Sequence, residues 1–298
     1  MHVPDDFIAY HKKILGSDFK EFIDHIGRPL LRASIRVNNL KSTERTVTRF
    51  LREQHVDYGG IPWCKEGLWT SSSQLDSLEH QLGYYYIQDS SSMLPPVALD
   101  PKPGERILDI CAAPGSKTTQ IAARMENAGM LVANEPDFTR LRGLIYNIQR
   151  CGVSNCAVTR RDGCNYYKVA EKFDRILVDV PCSDVGTVRR NPFALKSWDL
   201  EWIQKLSVVQ RKLAFQAFNM LAPGGTMVYS TCTTSLEENE QVVESILSEH
   251  SGAKLAKPDA PGLKFMPGLT EKTRECVRIL PQHNDTDSFF VAKVVKNG

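Results

Sequence analysis

From about residue 104 onward, short uninterrupted apolar runs alternate with longer segments whose apolar positions recur every three to four residues. The runs ERILDI, MLVANE (130 to 135), CAVT, DRILVDVP and TMVYSTC are apolar almost throughout, as strands covered on both faces must be. Between them, Lys117 to Asn127, 137 to 151, Asp199 to Leu221 and Leu236 to His250 carry helical periodicity. This alternation predicts an α/β fold with a doubly wound, mostly parallel sheet. The Pro-Gly-Gly at 223 to 225 is expected to end a helix before the next strand. CVRILP (276 to 281) and SFFVAKVV (288 to 295), separated by a short polar turn, predict an antiparallel hairpin at the sheet edge.

The first 95 residues have a different texture. Helical periodicity appears at Asp18 to Ile26 and Thr43 to His55, and ASIRVNNLK (33 to 41) alternates like a strand. GLWT and YYYIQDS read as short extended pieces, and Pro95-Pro96 punctuates a join. The expected organisation is a small α+β domain over 1–95, with a role in RNA binding, leading into a second domain over 96–298.

Composition narrows the function less than the pattern does. The 42% apolar and 24% charged content is that of a soluble globular protein, and a net charge of +2 makes no global case for nucleic acid. No apolar run is long enough to span a bilayer, and Met1 to Tyr10 has no signal-like apolar region. The eight cysteines form no CxxC pair and no spacing suited to a metal, which predicts reduced thiols, no metal site and a cytoplasmic protein. Cys151, Cys156 and Cys164 read as packing residues.

In an open α/β sheet, ligands bind beyond the carboxyl ends of the strands. Cys182 and Cys232 each lie just past such an end, and a packing cysteine has no reason to choose that rim twice. The first strand-to-helix turn, DICAAPGSKTTQ (109 to 120), is neither GxGxxG nor a Walker loop. Glu135, 18 residues after Lys117, ends the next strand and is placed for ribose hydroxyls, while Asp162 ends the third and suits an adenine amino group. Polar rim points without a phosphate loop fit an adenosine ligand lacking phosphates, and S-adenosylmethionine is the obvious candidate.

CAAPGSKTT, DVPCSDVGTVRRNP and YSTCTTSLEENE together resemble the Nop2/Sun family of RNA cytosine-5 methyltransferases, with the bacterial 16S ribosomal RNA branch the most similar. The likeness runs from the RVN of SIRVNNLK through PWCKEGLW and YYYIQDSSSM to the closing FFVAK. It implies a Rossmann-like, S-adenosylmethionine-dependent methyltransferase sheet. It implies a methyl-donor site at Cys111, Ala112, Ala113, Pro114, Gly115, Ser116 and Lys117, with Glu135, Arg140, Asp162 and Asp179. Cys232 would be the nucleophile and Cys182 the helper in product release. The chain departs from the pattern at Asp184, where the family usually has glycine after PCS, and at Ser116, which is glycine in many members. It stops at Gly298, whereas the bacterial ribosomal enzymes continue with a further carboxy-terminal region.

Carbon 5 of cytosine becomes nucleophilic once a thiolate adds to carbon 6, so the attacking thiol needs a lowered pKa. Lys117 is the expected source of the positive field, and Asp179 is placed for the cytosine amino group or ring nitrogen 3. The seven histidines all lie outside the three motifs, which argues against a Cys–His hydrolase. Arg189, Arg190, Arg140, Arg142, Arg160 and Arg161 near the rim are candidate RNA contacts. So are Arg28, Arg32, Arg36, Lys41, Arg45, Arg49 and Arg52 in the first domain. The expected partners are ribosomal RNA and the small ribosomal subunit, with an unstacked target base and the enzyme acting as a monomer. Three alternatives compete: a transfer RNA enzyme, a DNA cytosine-5 methyltransferase, for which ENV and QxRxR are missing, and a non-catalytic RNA-binding assembly module.

Overall fold

The computed structural model describes residues 3–72, 75–168 and 172–298. The chain opens with α1 (Asp5–Leu15) and α2 (Phe19–Ile26), whose Phe7, Leu15, Phe22 and Ile26 pack against Val185, Val188 and Leu195. The amino-terminal helices thus buttress the segment that follows Cys182. Helical periodicity did not reveal α1, because a polar residue stands on its buried face. His11 stacks on Phe7 at 3.9 Å, bonds Thr234 Oγ1 at 2.7 Å, and burial pushes its pKa down to about 3.

The strands β1 (Ala33–Val37), β2 (Tyr58–Ile61), β3 (Cys64–Thr70) and β4 (Tyr85–Ile87) form an antiparallel sheet in the order β2-β3-β1-β4. β1 is shorter than its alternation predicts. It stops where Asn38 turns to donate to Gly83 O and Cys151 O, both at 2.8 Å. α3 (Glu44–Glu53), capped by the Thr43 side chain, and α4 (Leu78–Gln81) flank this sheet in sequence. Pro95 and Pro96, at the expected join, lie within a helix. They occupy the first turn of α5 (Leu94–Leu99), where a missing N–H costs nothing, and are buried.

The larger sheet contains β5 (Arg106–Asp109), β6 (Met130–Asn134), β7 (Cys156–Thr159), β8 (Phe173–Asp179) and β9 (Leu221–Thr231). It also holds β10 (Ala253–Ala256), β11 (Met266–Pro267), β12 (Val277–Ile279) and β13 (Phe289–Lys296). The order is β11-β12-β13-β9-β8-β5-β6-β7, with β10 also on β13. β5 to β9 pair in parallel, and β13 runs antiparallel to β9. The fold is therefore the Rossmann-like α/β sheet that the pattern predicts. The closing hairpin exists but not at the edge, because β13 lies between β9 and β12, and the helical turn α11 (Pro281–Asn284) fills the connection. Pro223-Gly224-Gly225 lies inside β9, in the irregularity where pairing to β8 jumps from Leu221 to Thr226.

The remaining helices are α6 (Ser116–Arg124), α7 (Phe138–Arg150), α8 (Phe193–Lys196), α9 (Leu200–Met220) and α10 (Glu240–Glu249). Strand neighbours split between the two faces, which is why the runs read as continuously apolar. Leu108, Val178 and Met227 face Leu213, Ala217 and Phe218 of α9, while Ile107, Leu177 and Val228 face Leu94, Leu99 and Ile121. Strand order reverses between β5 and β8, so the crevice opens at the carboxyl ends of those two strands. No helix among the described residues is long and apolar enough to cross a membrane.

Candidate active site

The first wall of the crevice is the turn between β5 and α6. Gly115 sits at φ +104° and a Cβ there would meet Leu144 at 3.0 Å, so the turn requires glycine. The backbone is fixed by Ala112 N donating to Asn134 O at 2.8 Å and by the Asn134 side chain donating to Ile110 O at 3.1 Å. Glu135 is fully buried. Its Oε1 accepts the Asp137 N–H at 3.0 Å, while Oε2 has no hydrogen-bond partner and faces the Arg140 guanidinium at 3.3 Å. Arg140 also donates to Ala113 O at 2.8 Å, joining this residue to the β5–α6 turn. Asp162 is exposed and accepts from Cys164 N at 2.9 Å and Asn165 Nδ2 at 2.6 Å.

Sequence reasoning passed over Asp109 at the end of β5. Thr118 Oγ1 donates to its Oδ2 at 2.7 Å, Oδ1 is buried without a partner, and burial pushes the carboxyl up to about 7. The available signal was an aspartate closing an apolar strand, one residue short of the Cys-Ala-Ala-Pro-Gly turn.

Across the crevice, Lys117 and Asp179 form an ion pair of 2.7 Å, and Ser230 Oγ donates to the second Asp179 oxygen at 2.7 Å. The Lys117 ammonium also lies over the Phe289 ring, 5.2 Å from its centroid. β8 and β9 are in register at Asp179 and Ser230, so the segments leaving both strands run side by side. That pairing brings Cys182 and Cys232 together with sulfurs 3.1 Å apart, although 50 residues separate them in the chain. The Cys232 thiol donates to Asp184 Oδ1 at 2.9 Å, and the Cys182 sulfur lies 3.6 Å from the same oxygen. Asp184 is at φ +57°, the left-handed region that favours glycine, which aspartate tolerates better than most residues.

Two segments are locked around the thiols. Ser183, between Cys182 and Asp184, donates its N–H and its hydroxyl to the buried Glu238 carboxylate at 2.9 and 2.6 Å. Gln210 Nε2 bridges the same carboxylate to Pro181 O, both at 2.9 Å. Gly186 N donates to Cys232 O at 2.8 Å, and any Cβ there would fall 2.4 Å from Ser288 O. The periodicity over Leu236 to His250 places Glu238 in a helix, whereas α10 starts only at Glu240 and Glu238 belongs to the active-site turn.

The structure bears on three expectations. Lys117 is committed to Asp179, and the thiol of Cys232 is not activated in this state. The Cys182 contact, burial and the Asp184 carboxylate push it well up. The Cys182 thiol is also up, because burial and the Asp184 and Glu238 carboxylates outweigh the acidifying contact from Cys232. Arg36 and Arg189 are buried structural residues rather than RNA contacts. Arg36 donates to Ser116 O at 2.6 Å and Thr119 Oγ1 at 2.8 Å, and the Arg189 side chain, 2% exposed, pairs with Asp285 at 2.6 Å. Arg190 stays half exposed between Asp287 and Asp89, and Arg28, Arg32, Arg142, Arg160 and Arg161 remain on the surface.

Residues 96–295 match the family described as 16S rRNA methyltransferase RsmB/F, and residues 3–90 match the N-terminal domain of 16S rRNA methyltransferase RsmF. The chain belongs to the RsmB/F family. One RsmB/F relative, ribosomal RNA small subunit methyltransferase F of Aliivibrio fischeri, is 42% identical over 99% of this chain and 64% of its own length. The chain thus spans a little under two thirds of the curated relatives it matches. A methyltransferase homologue from Pyrococcus horikoshii is 32% identical over 97% of this chain and 93% of its own, with a TM-score of 0.83. NSun6 from Pyrococcus horikoshii, solved with SFG, shares the fold at a TM-score of 0.91 and 24% identity, covering 99% of this chain and 98% of that one.

Proposed function

We propose that this RsmB/F member methylates carbon 5 of a cytosine in small-subunit ribosomal RNA, using S-adenosylmethionine and a transient bond between Cys232 and cytosine carbon 6. The observation that carries the reading is the pair of thiols in contact just past adjacent strand ends, beside an Asp179–Lys117 ion pair.

The residues fit the donor. Glu135 Oε2 is a buried acceptor without a hydrogen-bond partner, and Asp109 Oδ1 is a second. Residues Cys111 to Lys117 with Glu135, Arg140 and Asp162 would hold the adenosine, and Asp179 would border the reacting end. When bound, S-adenosylmethionine supplies an electrophilic methyl group.

The protein's own groups then divide the work. Cys232 attacks carbon 6, and its S–H proton passes to Asp184 Oδ1, the carboxylate oxygen already accepting it, which is open to solvent. Asp179 accepts from the exocyclic amine and so orients the base, or holds a proton shared with ring nitrogen 3, which makes the ring more electrophilic, while Lys117 holds its carboxylate in place. After methyl transfer the carbon 5 proton passes by way of Cys182, in contact with Cys232, to solvent, the carbon 5–carbon 6 double bond re-forms, and the Cys232–carbon 6 bond breaks with its electron pair returning to the Cys232 sulfur. A target base reaches this crevice only unstacked from its neighbours. The reading implies a cytoplasmic enzyme acting on the ribosomal subunit or its RNA.

The test is transfer of tritiated methyl from S-adenosylmethionine to unmodified small-subunit particles, free 16S RNA and bulk tRNA. Label in 5-methylcytosine of the ribosomal RNA supports the reading. Label confined to tRNA overturns the substrate, and no label in any RNA overturns the activity.

A further inference from the structure

The spacing of cysteines along the chain shows no metal motif, yet folding assembles one. Cys182 Sγ, Cys232 Sγ and an Asp184 carboxylate oxygen all lie within 4.8 Å of one another. We propose that Cys182, Cys232 and Asp184 form a site for a soft divalent cation of the zinc class, whose occupation excludes Cys232 from nucleophilic chemistry.

Two thiolates and one carboxylate are a donor set that soft and borderline cations prefer and that magnesium and calcium do not. Three protein ligands with one open position is the usual pattern of an accessible zinc site. The open side here faces solvent, because Asp184 is exposed and both cysteines are partly so. The distances are close to those needed. Zinc–sulfur bonds of about 2.3 Å at tetrahedral angles put two sulfurs about 3.8 Å apart. The observed separation is 3.1 Å, so binding requires the thiols to part by roughly 0.7 Å.

The donors are also preorganised, and by groups that do not ligate. Ser183, between two of the ligands, is pinned by Glu238 through its N–H and hydroxyl and shares a 2.8 Å contact with Thr233 Oγ1. Thr187 donates its N–H and its hydroxyl to Asp184 O at 2.9 and 2.8 Å, fixing the left-handed backbone that aims the carboxylate at the sulfurs. Gly186 N ties this segment to Cys232 O at 2.8 Å. Such outer contacts raise metal affinity by limiting what must be ordered on binding. The step balances simply. Two metal–sulfur bonds form, two S–H bonds break, about two protons go to solvent, and nothing is oxidised.

The inference concerns the dithiol–carboxylate cluster and its test does not require methyl transfer, so it stands or falls separately from the proposed RNA chemistry. Metal-free, fully reduced protein is titrated with cadmium, following sulfur-to-metal charge-transfer absorption, with excess magnesium present. The expected result is saturation at one equivalent, loss of that phase in Cys182→Ala and in Cys232→Ala, and weakening by about 100-fold in Asp184→Gly, at the upper end of the roughly 10–100-fold that removal of an outer partner costs. Glycine suits the backbone at 184, so that variant folds. One equivalent of zinc should also block iodoacetamide labelling of Cys232, and a chelator should restore it. Binding that survives in Cys182→Ala would place the ion on other thiols and overturn the site. Wild-type affinity in Asp184→Gly would overturn the role of the carboxylate, and labelling unaffected by zinc would overturn the exclusion of Cys232.

Discussion

The Glu238 carboxylate accepts the Ser183 N–H at 2.9 Å, so a residue from the Cys232 side of the site fixes the Cys182 loop. It is fully buried, and it also accepts the Ser183 hydroxyl and Gln210 Nε2. Glu238→Ala strands these donors, and each buried unsatisfied group costs about 1–3 kcal/mol. The urea midpoint should fall accordingly, and methyl transfer should drop at least tenfold at saturating donor. Glu238→Gln, which keeps one carbonyl acceptor, should recover part of both losses.

Asp184 has the opposite sign. A carboxylate beside a thiol disfavours the thiolate, and Asp184 contributes to the raised pKa of Cys232. Asp184→Gly should therefore shift the pH profile of Cys232 alkylation downward and speed labelling at neutral pH. If Asp184 also takes the thiol proton during attack, methyl transfer should slow while alkylation accelerates. A profile that moves up would contradict the electrostatic account.

Asp109 gives a pH dependence of stability. Its folded carboxyl is raised to about 7 from the ordinary 3.8, so between those values the native state holds a proton that the unfolded chain has lost. Its contribution is fully present below about 3.8 and is lost as pH rises through about 7. Asp109→Asn should flatten the decline in stability across that window and leave the protein more stable than wild type at about pH 8, above both values, by denaturant unfolding.

Arg36 links the two sheets' territories, donating to Gln88 at 2.5 Å in the first and to Ser116 O at 2.6 Å at the start of α6. Arg36→Met removes a buried cation together with its bonds. It should lower the thermal midpoint and weaken donor binding, while the salt dependence of RNA binding stays as in wild type, because the guanidinium is buried. A reduced salt slope would return Arg36 to the RNA surface.

Much of this architecture was legible in the chain. Runs such as ILVDV declare a strand buried on both faces, and cysteines just past two such runs declare a functional rim. What the sequence concealed depends on contacts between distant segments. Nothing near Lys117 indicates that its charge is spent on Asp179, and nothing near Cys182 indicates a sulfur 3.1 Å away from a residue 50 positions later. Glu238 was hidden because its neighbours continue a helical period that the chain does not follow until Glu240. α1 was hidden because His11 replaces an apolar residue on a face where its ring is fully satisfied.

The central claim is the division of labour between the two thiols. It is tested most directly by incubating unmodified ribosomal RNA and S-adenosylmethionine with Cys182→Ala and with Cys232→Ala, then resolving protein–RNA adducts on a denaturing gel. The account predicts that Cys182→Ala accumulates a covalent adduct and turns over poorly, while Cys232→Ala forms neither adduct nor product. Wild-type methylation by Cys232→Ala, or an adduct that forms only when Cys182 is present, would reverse the assignment.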